Sequence, residues 1–194
     1  MSKLLIIYAH PSRAGSHGYF LEKILELLGS FPSVSHELID LYDVKYDPIL
    51  KDNELYSAGR RAVSPENLAY QEKIKAASHL LFIYPTWWQN MPAILKGFMD
   101  RVFVAKFSFT YKAGLPIGLL KGKKAAAFSA TGGPRLYTSL FTGDQSLSVL
   151  TKDILGFAGI QARGFSLGSA RRLDDSDKAH LERIAKKVLK YLFN

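Results

Sequence analysis

Between His79 and Tyr111 the chain reads HLLFIYPTWWQNMPAILKGFMDRVFVAKFSFTY, a hydrophobic strand, an aromatic loop and a helix in direct succession. His79 to Tyr84 is a short, unbroken apolar run of the kind found at the centre of a parallel sheet covered on both faces. Pro85 ends it. The loop from Thr86 to Met91 then sets two indoles, Trp87 and Trp88, beside the amide side chains of Gln89 and Asn90. One loop thus offers planar apolar surface together with donors and acceptors, which suits a heteroaromatic ring. Pro92 opens a helix at its favoured first position, and Ile94, Leu95, Phe98, Val102 and Phe103 recur at helical spacing to form one buried face. Taken alone, a tryptophan pair is also an ordinary core or interface plug.

The rest of the chain repeats the pattern. Lys3 to Ala9 reads as a strand, and His17 to Leu28 carries Phe20, Leu21, Ile24, Leu25 and Leu28 at helical spacing until Gly29 stops it. Val34 to Leu41 is a second strand, and Pro65 to about Ala77 a helix with Ser64 as its cap. A strand at Lys124 to Ala130, a helix from Asp144 to Phe157, a strand at Ile160 to Ser166 and a helix from Asp174 to Leu192 complete the series. Five strands alternating with helices imply right-handed crossovers and a three-layer α/β domain. Ligands of such sheets bind beyond the C-terminal strand ends at the switch point, so the loops after Ala9, Tyr84 and Ala130 are the places for a site.

The first of these loops, His10-Pro-Ser-Arg-Ala-Gly-Ser-His-Gly, leads into a helix N-terminus, where free amides and the helix dipole favour a phosphate. It is neither GxGxxG nor a Walker A loop, which argues against an ordinary dinucleotide-binding domain and against a P-loop NTPase. Ser16 could also be a plain helix cap and His10 a turn residue. After Ala130 the sequence continues Thr-Gly-Gly-Pro-Arg-Leu-Tyr, a turn whose glycines let backbone approach a ligand, with Tyr137 following as a candidate hydroxyl donor.

Composition narrows the chemistry. The 194 residues, 47% of them hydrophobic, suit a single ordered domain covering the chain from 1 to 194. There is no Cys, so disulfides, iron–sulfur clusters, thiol nucleophiles and thiolate zinc sites are out of reach, and a reducing cytoplasm is the expected home. No membrane insertion is expected, because the apolar run near the N-terminus is short and reads as a strand. The formal net charge is +9, but the basic residues are dispersed and interleaved with acids, which reads as a solvated surface rather than a nucleic-acid patch. His10, His17, His36, His79 and His180 form no paired metal motif, and no GxSxG elbow occurs, so neither metal chemistry nor nucleophilic hydrolysis is expected. Such a chain borrows its chemistry from a cofactor.

Several segments in a fixed order resemble the flavodoxin-like NAD(P)H:quinone oxidoreductases: YAHPSRAGSHG near the start, Tyr84 to Phe103 with PAILKG and DRVF, then FSFTY, LLKGKK, and TGG followed by Tyr and Gly-Asp. The resemblance covers roughly Lys3 to Phe165. It implies a sheet in the order 2-1-3-4-5 and a flavin, FMN favoured over FAD. The ring would lie against Pro85, Thr86, Trp87, Trp88 and Gln89, with Thr131, Gly132 and Gly133 facing its pyrimidine side. The phosphate would sit on His10, Ser16, His17 and Gly18. Tyr137, Gly132 and Gly133 would carry the catalytic role, solvating charge that develops on the ring. By the same resemblance the protein is a homodimer that passes two electrons from NAD(P)H to a quinone-like acceptor in a ping-pong reaction. Mammalian-type members place a His between the Tyr and the Gly-Asp, whereas Thr142 stands there in this chain. The rival implication is a flavin-bearing regulatory subunit of a potassium-efflux system.

Overall fold

The fold is described from a computed structural model for residues 2–55, 59, 62–133, 144–170 and 173–194. Strand β1 (Ser2–Tyr8) leads into helix α1 (Ser16–Leu28), and β2 (Val34–Asp40) is followed by a long connection to α2 (Pro65–Ala76). Next come β3 (His79–Pro85), α3 (Ala93–Val102), a hairpin of β4 (Phe109–Lys112) and β5 (Leu115–Gly118), and β6 (Lys124–Ala130). A short α4 (Gln145–Ser148) runs straight into a π-helical segment, Val149–Gly156, before β7 (Gln161–Leu167) and α5 (Asp175–Phe193).

The five long strands form one parallel sheet in the order β2-β1-β3-β6-β7. Numbered among themselves these strands run 2-1-3-4-5, the order the sequence led us to expect. Alternation along the central strands divides the core in two. Leu5, Ile7, Leu80, Phe82 and Tyr84 face one layer and pack with Leu95 and Phe98 of α3. Leu4, Ile6, Tyr8, Leu81 and Ile83 face the other and pack with Phe20 and Ile24 of α1 and Leu181 and Val188 of α5. Each fully buried large side chain of this kind contributes roughly 1.5–3 kcal/mol, which makes β1 and β3 the anchor of the domain and fixes the ends from which the site loops emerge.

Local signals hold with small shifts. The Ser64 side chain caps α2 by accepting from Asn67 N at 3.2 Å, and Asp174 caps α5 by accepting from Asp177 N at 2.8 Å. Pro92 is the N-cap of α3 rather than its first helical residue; its carbonyl receives the amides of Leu95 and Lys96, both at 3.0 Å.

Two features differ from expectation. The β4–β5 hairpin was not anticipated, because its half-exposed strands carry no buried alternation. The single helix expected over 144–157 is α-helical for four residues and π-helical for the next eight. In the aromatic stretch beyond α3, Phe103 and Phe107 are buried in the core, and only Tyr111 is largely exposed.

Candidate functional site

At the C-terminal edge of the sheet, the loops after β1, β3 and β6 enclose a cleft of about 230 Å³. His10, Ser16 and His17 line it from the first loop, Pro85, Thr86 and Trp87 from the second, and Thr131 and Gly132 from the third. Ala14, Gly15 and Ala130 join them, as does Ala170 from the loop after β7, which carried no sequence signal of a ligand.

The first loop is built by its own side chains. Tyr8 Oη donates to the Ser12 carbonyl at 2.8 Å, Ser12 N donates to His10 Nδ1 at 3.1 Å, and Ala14 N donates to Ser12 Oγ at 3.0 Å. Arg13 is drawn away from the cleft. Its Nε donates to Asp40 at 2.9 Å, its terminal nitrogen lies 2.6 Å from the same carboxylate, and its guanidinium sits 4.5 Å above the Tyr8 ring. Burial pushes the Tyr8 hydroxyl up to about 12, so it stays a neutral donor.

Helix α1 then begins without a side-chain cap: Gly15 holds the N-cap position at φ 86° and no side chain accepts from the first amides. A side chain there would be strained, and the amides of an uncapped helix start that opens on a cleft can hold an anion. Gly18 lets the loop close over it. A Cβ at Gly18 would lie 1.6 Å from the Arg13 carbonyl oxygen, so no other residue fits without moving the loop. Gly18 itself does not line the cleft.

His17 is placed on the cleft and at the same time tied to the sheet. Ala130 N donates to its Nε2 at 3.3 Å, and the ring hydrogen-bonds the Tyr84 backbone. Burial, reinforced by the neighbouring His10, lowers its pKa to about 3. The imidazole is therefore neutral at pH 7, joining the ends of β3 and β6, and any anion bound beside it meets helix amides rather than a histidine cation. His10 stacks on it with ring centroids 4.8 Å apart and planes at 20°, and Trp87 stands 6.4 Å from His10. A run of three rings thus walls the cleft.

The second loop is a two-residue turn. Trp87 and Asn90 pair through their backbones at 2.9 and 3.0 Å, and Trp88 and Gln89 between them both take positive φ, 51° and 58°. Two non-glycine residues in left-handed geometry cost of order 1–3 kcal/mol each. The turn separates the tryptophans: Trp87 lines the cleft, whereas Trp88 is 100% exposed. Gln89 points instead to a small inner void behind the cleft wall.

The third loop is held from β7. Thr131 N donates to the Leu167 carbonyl at 3.0 Å, Ala170 N to the Thr131 carbonyl at 3.0 Å, and Ser169 N to the Gly133 carbonyl at 2.8 Å. Gly133 N turns to Thr131 Oγ1 at 3.3 Å, and Gly133 does not line the cleft. Tyr137 and Thr142 lie outside the described residues. Among the described residues no cluster of three metal-ligating side chains occurs, and no helix is long and apolar enough to cross a membrane.

The geometry is that of a site for a flat ring with an anionic tail: ring-stacking surface at Trp87, helix amides at Ser16, and backbone on the facing side. Comparison with known proteins points the same way. A family described as having a flavodoxin-like fold matches residues 2–192. The chain is 33% identical to an uncharacterised NAD(P)H oxidoreductase of Haemophilus influenzae, over 95% of this chain and 93% of that one. It is 32% identical to an FMN-dependent NADH:quinone oxidoreductase of Caldicellulosiruptor bescii, over 90% and 88%. It is 30% identical to the NAD(P)H dehydrogenase [quinone] 1 of Rattus norvegicus over 82% of its length, but spans only 65% of that protein. Among solved structures, an NAD(P)H:quinone oxidoreductase from Methanothermobacter marburgensis superposes with a TM-score of 0.86 at 27% identity, over 100% of this chain and 98% of that one.

Proposed function

The chain belongs to the flavodoxin-like NAD(P)H:quinone oxidoreductase family, and on that footing we propose that it is a flavoprotein, with FMN as the flavin, that oxidises NAD(P)H and reduces a quinone or similar small acceptor. The observation that carries the proposal is the cleft itself, which sets Trp87 and the His10–His17 stack against an uncapped helix N-terminus. The FMN-dependent relative supports FMN over FAD.

The residues present fit the group. The amides at the start of α1 would hold the phosphate, and Gly18 keeps that loop close by leaving no side chain in its way. Pro85, Thr86 and Trp87 would hold the ring from one side and Thr131 and Gly132 from the other. A flavin held there would supply two-electron redox chemistry between NAD(P)H and the acceptor, a hydride equivalent coming from NAD(P)H and the acceptor's second proton from solvent. The Tyr137 hydroxyl would donate to charge developing at the ring edge; a hydrogen bond to a charged group contributes roughly 1.5–3 kcal/mol. Tyr137→Phe should then slow turnover about tenfold to hundredfold with flavin content intact. With Thr142 at the position of the family histidine, no imidazole relay is expected, because a hydroxyl does not titrate near neutrality.

Donor and acceptor would use one opening in turn, which would give ping-pong kinetics. Initial rates measured over a grid of NADH and quinone concentrations should give parallel double-reciprocal lines, while intersecting lines would overturn the shared opening. The protein would work as a homodimer in the cytoplasm, the exposed Ile49, Leu115 and Tyr111 offering apolar surface for a second copy. Nothing among the described residues favours the regulatory-subunit reading.

A further inference from the structure

Behind the cleft wall lies a small void of about 10 Å³, the least space that admits one water molecule. Its lining is unusually rich in hydroxyls: Thr86, Ser129, Thr131, Ser146 and Ser166 all face it. Ser146 is 2% exposed, and among the described residues its Oγ has no hydrogen-bond partner. Leaving a buried hydroxyl unpaired costs roughly 1–3 kcal/mol, and native proteins rarely tolerate it without water. Across the void Thr86 Oγ1 and Ser129 Oγ bond each other at 2.7 Å, which uses one of their two protons and leaves further donor and acceptor capacity on the pair.

We infer that this void binds a single structural water, which takes the Ser146 hydroxyl on one side and the Thr86–Ser129 pair on the other. The water joins the end of β3, the end of β6 and the start of α4 through their side-chain hydroxyls, beside the direct Thr86–Ser129 bond. Tyr84 Oη already ties β3 to the Ser146 carbonyl at 3.1 Å, so the water adds a second link beside an existing one. Its position bears on the site, because Thr86 and Thr131 line both the void and the cleft. The water braces the cleft wall from within, and this holds whether or not the cleft takes a flavin.

A crystal structure at a resolution that shows single waters tests the inference. The expected result is one peak within about 3.2 Å of Ser146 Oγ and of Thr86 Oγ1 or Ser129 Oγ. An empty void, or a Ser146 hydroxyl turned onto a protein acceptor, would overturn it. Water-nucleus relaxation dispersion in solution gives an independent reading through the number of long-lived internal waters. Ser146→Val, whose extra methyl group fills the space and removes the hydroxyl, should hold one such water fewer than the wild-type protein. Equal counts in the two proteins would contradict the assignment. Either outcome leaves the flavin proposal to its own experiments.

Discussion

At the residue scale the site depends on two positions whose roles are set by contact rather than by residue type. His17 has the composition of a phosphate ligand and the environment of a neutral strut. Its pKa of about 3 in the folded chain lies below the 6.5 of a free histidine, so the unfolded chain binds more protons between those values. The stability it contributes is therefore complete above about pH 6.5 and is lost as pH falls from there towards 3. Urea denaturation at pH 7 and pH 5 should show the wild-type protein losing more stability than His17→Asn over that interval. Equal losses would mean the ring is not buried as a neutral group. Gly18 makes a steric prediction. Gly18→Ala must push the Arg13 carbonyl away, so flavin affinity should fall more than tenfold while the circular dichroism of the sheet is retained. Fluorescence titration with FMN measures it.

The tryptophans show where residue-level reading stops. Both indoles were read onto the ring, because sequence reports what a loop carries and not which way it turns. The turn at Trp88–Gln89 takes left-handed geometry without the Asn or Gly that announces such a turn, and so its direction was hidden. Trp87→Ala should weaken flavin binding by on the order of 1 kcal/mol, about fivefold, through loss of a stacked ring. Trp88→Ala should leave flavin binding nearly unchanged, since the side chain is wholly in solvent.

At the element scale the long connection after β2 is fastened to α3 chiefly by the Arg101–Glu54 ion pair. Arg101 Nε and Nη2 donate to the two carboxylate oxygens of Glu54, each at 2.9 Å, and both side chains are only 6% exposed. Arg101 also donates to the Asp47 carbonyl and lies 5.7 Å from the Tyr46 ring. The guanidinium holds the Glu54 carboxyl below the usual glutamate range, so the stability it brings is present above the ordinary glutamate pKa and disappears as pH falls through the lowered one. Removing one partner of a buried pair leaves the other uncompensated. Arg101→Ala should cost roughly 3–5 kcal/mol, read as a lowered urea midpoint, and Arg101→Ala with Glu54→Gln should recover part of it.

Elements were legible in proportion to their burial. β1, β3 and β6 announce themselves as apolar runs because both their faces are covered, and their ends came out within a residue. The β4–β5 hairpin is short and half-exposed, so neither alternation nor a buried run marks it. The π-helical turn of 149–156 has an ordinary helical composition that does not announce its wider winding; it packs over β6 and β7, with Thr151 Oγ1 donating to the Leu147 carbonyl at 2.7 Å.

At the scale of the whole molecule, the parallel sheet order dictates where the loops converge, and that convergence, more than any single motif, made the site findable. The loop after β7 joined it unannounced because Ala170 carries no chemistry beyond its backbone. A dimer should be visible by light scattering as twice the 21.7 kDa chain mass at micromolar concentration. A strict monomer with full turnover would contradict the homodimer. The central claim, that this cleft holds a flavin, is tested most directly by denaturing the purified protein and chromatographing what is released. The account predicts one FMN per chain, or stoichiometric uptake of FMN by protein purified without it. Folded protein that releases no flavin and takes up neither FMN nor FAD would contradict it.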